Sequence, residues 1–152
     1  MTQQTGRLRR TAGALSSERG GLRAWCGPAV VALAADLSSE DASTLIRDAG
    51  GDRYPPGEIV VSYWRDLLSA LRAAGVAAEP LPLPSPAPTL IGLARRGLAA
   101  GWYLVRVTNH FLLLEVDDAG QARVHDNHVS GDPLDRRSHG LCRTTHLARL
   151  AL

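Results

Sequence analysis

Five prolines fall within ten residues in EPLPLPSPAP, residues 79–88. A proline locks φ, donates no backbone hydrogen bond and biases the residue before it to extended geometry, so this stretch is neither helix nor the centre of a sheet. It predicts an extended surface connector. It also marks the point where the hydrophobic pattern changes, from helical spacing before it to strand-like runs after it.

In the front part, residues 1–21 are polar, carry Arg7, Arg9 and Arg10, and hold no sustained period, which predicts a flexible arginine-bearing arm. Gly27 and Pro28 then open an unbroken aliphatic run from Ala29 to Ala35, the pattern of a helix buried on most sides. Ser38 or Ser39 suits the cap of a second helix, with Glu40 and Asp41 in its first turn and Gly50 and Gly51 at its end. A third helix is expected over residues 56–74, with Ile59, Tyr63, Leu67, Leu68 and Leu71 on one stripe and Gly75 as its stop.

Behind the prolines, a short helix is expected near residues 89–99. The runs WYLVRV, HFLLLEV and QARVHD then read as strands, with DDAG as the hairpin turn between the last two and a final strand within residues 141–150. Helices first and an antiparallel sheet second make an α+β chain, with one domain over residues 22–152. The length of 152 residues stays under the ~250 at which single cores divide.

Composition removes several classes. A 45% hydrophobic content argues against disorder, and 17 basic against 15 acidic residues leave a net charge of +2, too balanced for a protein whose main partner is nucleic acid. The apolar runs are shorter than the ~18 residues that span a bilayer, and the polar start lacks the oily core of a secretion signal, so a soluble cytoplasmic protein with no membrane partner is expected. All 17 basic residues are arginine, which excludes a lysine nucleophile.

Cys26 and Cys142 are 142 − 26 = 116 positions apart in a chain without an export signal, which predicts free thiols. Cys26 sits at the expected start of the buried helix, where the dipole favours thiolate and unpaired backbone N–H groups can receive an oxyanion. His110 begins the run HFLLLEV and is the best base. In that hairpin Leu112, Leu114 and Val116 share a face with His110, and Ala122, Val124 and Asp126 form the matching face of the return strand. Period 2 thus carries Asp126 to the side of His110, as an orienter of the imidazole, and sends Asn127 to the opposite, polar face with Gln121, Arg123 and His125. A one-residue bulge in the turn would exchange the two, leaving Asn127 as the alternative orienter. His139, Cys142 and His146 form a conceivable metal set, but their spacing matches no strong ligand pattern, so neither metal nor cofactor is expected.

The blocks WCGPAVVALAADLS, NHFLLLEV and VHDN resemble the Cys, His and Asp/Asn blocks of papain-like cysteine peptidases, in compact bacterial and phage members and in the leader-peptidase domains of bacteriocin exporters. The separations, 110 − 26 = 84 and 126 − 110 = 16, suit those compact forms. The resemblance implies a papain-like fold with a nucleophile helix on an antiparallel sheet, a Cys26–His110–Asp126 triad acting through an acyl-thioester, and a peptide or protein substrate. Two positions depart from it. Where a glutamine usually completes the oxyanion hole, six residues before the cysteine, this chain has Gly20, preceded by Arg19, with Gln3 and Gln4 far off; and Asn109 stands where a glycine is common before the histidine. These departures keep a second expectation open, a papain-like scaffold with weakened or lost chemistry that serves as a phage structural or protein-binding component.

Overall fold

The computed structural model describes residues 8–152. The helices come first: α1 (Ala12–Glu18), α2 (Cys26–Ala35), α3 (Ser39–Gly50) and α4 (Trp64–Ala73), with one 3₁₀ turn at Gly51–Arg53. Then follow β1 (Ala77–Leu81), α5 (Leu90–Arg95), β2 (Gly101–Val107), β3 (His110–Val116), β4 (Ala122–His125), β5 (Ser130–Pro133) and β6 (Thr144–Ala151). The strands form one antiparallel sheet in the order β1-β6-β2-β3-β4-β5, so the chain is α+β. None of its helices is long and apolar enough to cross a membrane among the described residues.

Burial on both faces of the sheet explains the continuous apolar runs. Leu15, Val30, Val31, Leu33, Ile46, Leu67 and Leu71 from the helices pack with Trp102, Leu104, Phe111 and Leu113 on one face. Leu90 and Leu93 of α5 cover Tyr103, Val105, Leu112, Leu114 and Val124 on the other. Strands β2 and β3 therefore bury successive side chains rather than alternate ones, and each such side chain contributes about 2 kcal/mol to holding the layers together.

Helix α2 is apolar on all sides because it lies between the sheet and the other helices. Residues Gly27 to Leu33 are all buried, and α2 packs on β3, α3 and α4. Pro28 sits in the first turn, where its missing N–H costs no helical hydrogen bond, and Asp36 ends the helix in a left-handed conformation, φ 56°. Ser38 caps α3, its hydroxyl accepting from the Asp41 N–H at 3.0 Å, as the sequence suggests.

Three expectations are corrected, and one strand was not expected. The arm is not loose over its described part: Thr11 caps α1 through the Ala14 N–H, Leu15 is fully buried, and Arg10 pairs with Asp36 and Glu18. Residues 1–7 of that expected arm lie outside the described residues. The third helix starts at Trp64, not at residue 56, because Arg47 donates to the carbonyls of Pro55 and Gly57 and holds the preceding segment, which bends at Pro56 and Gly57, out of helical geometry. The proline-rich stretch is only partly a connector, since its first residues belong to β1, where Pro80 pairs with Ala148. An edge strand tolerates a proline that a central strand would not. The other edge, β5, has the sequence SGDP, whose poor strand formers hid it.

Candidate active site

Cys26 is the first residue of α2, and His110 is the first residue of β3, the strand on which α2 packs. The hairpin that delivers His110 turns through Thr108 and Asn109 between the paired residues Val107 and His110. Asn109 has φ 60°, a left-handed geometry that asparagine and glycine both tolerate, so the departure before the histidine preserves the turn.

Asp126 follows β4 directly. The register Val116↔Ala122 and Leu114↔Val124, continued by one step, brings it level with Leu112 on the side of His110. His110 Nε2 donates to Asp126 Oδ2 at 2.7 Å. The second carboxylate oxygen accepts from the backbone N–H groups of His128 at 2.7 Å and Val129 at 2.8 Å, which fixes the carboxylate before it meets the histidine. Asp126 is 1% exposed, so its charge has no solvent alternative to these donors. With Nε2 committed to Asp126, Nδ1 is the nitrogen left to bond the thiol of Cys26.

The charges of the three groups are mutually dependent. Burial pushes the Cys26 thiol up, but bonds from the His110 side chain and from the Phe111 and Gly27 N–H groups, with the positive charge of His110, bring it below its ordinary value. Burial opposes charging of His110, yet its bonds to Asp126 and Cys26 raise it to about 9. Burial likewise opposes ionisation of Asp126, and the His110 bond and two backbone donors outweigh it, holding the carboxyl below the usual range. The arrangement favours a thiolate, an imidazolium and a carboxylate in series.

Asn127 has a different task from the orienting role left open for it. Its Nδ2 donates to the carbonyl of Ala24 at 2.9 Å, away from His110. The face it shares with Arg123 and His125 is not simply solvated, because His125 bonds Glu115 at 3.0 Å and its ring lies 5.0 Å from that of Trp102.

The metal set does not assemble. Cys142 packs in the apolar layer with α5, and the His146 ring lies 5.0 Å from that of Trp64. His139 instead stacks on His110, with ring centroids 4.1 Å apart and planes at 17°. His110, Asp126 and His139 are the one trio of His, Cys, Asp or Glu among the described residues whose side-chain nitrogen and oxygen atoms all lie within 4.8 Å of one another.

Around Cys26, sequence reasoning missed a supporting network. The Trp25 indole donates to Glu58 at 3.1 Å, and Arg19 bonds both Glu58 and the Arg23 carbonyl. Gly20 has φ 66° and faces open space, so no side chain from that position reaches the thiol. Gly27 is needed for close approach, since a Cβ there would lie 1.9 Å from Ser62 Oγ. That hydroxyl is buried and without a partner among the described residues. Beside the α2 start, Leu22, Trp25, Pro28, Gly57, Glu58 and Ile59 line part of a cleft of about 590 Å³.

No family model matches the chain, and no curated protein or solved structure is significantly similar to it.

Proposed function

We propose that this chain is a papain-like cysteine peptidase that works through an acyl-thioester. The observation that carries the reading is the ordered contact from Cys26 through His110 to Asp126, built from a helix start, a strand start and a strand end. A thiolate held by an imidazolium has the nucleophile and the acid that amide cleavage needs.

In the first step the Cys26 thiolate attacks the acyl carbon, and the oxyanion gains the first-turn N–H groups of α2, which have no acceptors within the helix. The C–N bond breaks as the His110 imidazolium gives its proton to the leaving amine. Neutral His110 then takes a proton from water, the hydroxide adds to the thioester, and the C–S bond breaks to release the acid and restore the thiolate. Asp126 stabilises the imidazolium and holds its ring in plane.

A peptide or protein substrate fits the surroundings of the thiol. Trp25, Val60, Val61 and Tyr63 are exposed on the two segments that meet at Gly27 and Ser62, and they offer apolar contact to an extended chain. The reading places such a protein in the cytoplasm or in a phage particle.

Gly20 favours a second reading. Without a side-chain donor at that position, the chain is a papain-like scaffold with weak chemistry that binds protein segments in the same cleft. Incubation with an unfolded protein substrate, followed by mass spectrometry of the fragments, separates the two. The peptidase reading predicts fragments that vanish in Cys26→Ala with the circular dichroism spectrum unchanged; binding without fragments contradicts it.

A further inference from the structure

His139 lies face to face with the candidate base His110. His139 has φ 64°, in the left-handed region where non-glycine residues are uncommon and asparagine, aspartate and histidine are enriched. The loop around it is fixed from several directions. Asp135 Oδ1 accepts from the N–H groups of Arg137 at 2.7 Å and Ser138 at 3.1 Å. The Gly140 N–H reaches the Asp135 carbonyl at 3.2 Å, the Cys142 N–H reaches the His139 carbonyl at 2.9 Å, and the Ile91 N–H of α5 reaches the Gly140 carbonyl at 2.9 Å. Gly140 lies so close to the Asp135 carbonyl that a Cβ there would stand 2.2 Å from it. These bonds fix the loop that presents the His139 ring.

We propose that His139 is a positioning residue for His110, one whose neutral ring backs the imidazolium and whose protonation at acid pH weakens the Cys26–His110 pair. This rests on the reading of Cys26 and His110 as nucleophile and base. An imidazolium lying face to face with a neutral aromatic ring is favoured, and the stack at 4.1 Å leaves His110 little freedom to rotate away from Asp126. A second proton reverses the relationship. Two cations would then lie in stacking contact, and His139 Nε2, 4.0 Å from Asp126 Oδ2, would compete for the carboxylate that holds His110.

The groups facing His139 act in both directions. His110 on β3 and His128 after β4 disfavour its charge, Asp126 favours it, and burial disfavours it; together they hold its pKa below the ordinary imidazole value. Cys26 on α2 bonds the far partner in the stack, His110, and Asp135, Arg136 and Arg137 are the charged residues of its own loop. His139 is therefore neutral where the thiolate and imidazolium coexist, and its partial exposure lets it take a proton as the medium becomes acidic.

The test is the rate of iodoacetamide addition to Cys26 from pH 4 to 8, followed by peptide mass spectrometry with Cys142 as internal reference. His139→Phe retains a flat ring without a titratable group, and His139→Asn suits the left-handed backbone but removes the ring. The proposal expects the rate of His139→Phe, taken relative to its own neutral-pH value, to hold to lower pH than in wild type, by roughly tenfold one pH unit below the His139 titration. It expects His139→Asn to react more slowly than wild type at neutral pH and to lose the same acid step. Acid limbs that coincide in wild type and both variants overturn the role of His139 while leaving the nucleophile assignment intact. A wild-type Cys26 no faster than Cys142 overturns the assignment itself, and this proposal with it.

Discussion

Asn127 donates its side-chain amide to the carbonyl oxygen of Ala24 at 2.9 Å, which ties the turn that carries Asp126 to the loop that delivers Cys26. The two neighbouring residues therefore serve the site by different routes. Asp126 holds the imidazole directly, and Asn127 holds two backbone segments together.

Separate substitutions distinguish these routes. Asp126→Ala removes the acceptor of His110 and of two backbone N–H groups, and the expected result is a fall in Cys26 reactivity together with a His110 pKa, followed by NMR, that drops well below about 9. Asn127→Ala removes one hydrogen bond, worth about 1 kcal/mol of stability, and should leave the His110 titration nearly in place. A larger shift of the His110 titration in Asn127→Ala would show that the amide, rather than the carboxylate, orients the ring.

The pH dependence of stability has a defined sign. His110 is raised above its unfolded value, so the stability it contributes is complete below about pH 6.5 and is lost as pH rises through about 9. Cys26 is lowered, so its contribution is complete above the unfolded thiol pKa of about 8.5 and is lost as pH falls through its folded value. Between about pH 6.5 and 8.5 the two slopes oppose each other, because the folded pair and the unfolded pair each bind one proton. Wild type should therefore show an unfolding free energy nearly flat over this window, while Cys26→Ala, which removes one of the two partners that raise His110, should lose stability with rising pH only as far as Asp126 alone keeps His110 raised, at a slope below about 1.4 kcal/mol per unit. Urea titrations at several pH values check this; a marked slope in wild type across the window would mean that the Cys26 and His110 titrations do not offset each other as a pair.

Close approach at Gly27 supplies a further test. An added methyl would meet Ser62 Oγ at 1.9 Å and Ser62 Cβ at 2.5 Å, so Gly27→Ala must displace either α2 or the irregular segment before α4. Overpacking of this kind costs about 1–3 kcal/mol, and because Gly27 adjoins Cys26, reactivity should fall as well. Ser62→Ala removes a buried hydroxyl with no partner among the described residues, and thermal melts should show it neutral or stabilising. A marked loss of stability in Ser62→Ala would indicate that the hydroxyl has a partner in solution.

Much of the site was legible because it follows from short-range rules. The helix start at Cys26 shows in the small and aliphatic run after Gly27 and Pro28, and the side of Asp126 follows from period 2 across one hairpin. The features that escaped depend on tertiary contacts. Residues 56–63 carry helix-compatible spacing, but Arg47 holds their start in a non-helical bend. The polarity of residues 8–21 hides α1 because Leu15 is the one large apolar side chain that anchors that helix in the core. Period 2 places Asn127 on the far, polar face, but its partner, Ala24, comes from a loop more than a hundred residues away. His139 stacks on His110 through a left-handed backbone that no local pattern announces.

The central claim, a Cys26 thiolate activated by His110, is tested most directly by the alkylation rates of Cys26 and Cys142 in the same molecule at pH 6.5. The account predicts that iodoacetamide labels Cys26 far faster than Cys142 and that His110→Ala abolishes the difference. Equal rates for the two cysteines in the wild-type protein would contradict it.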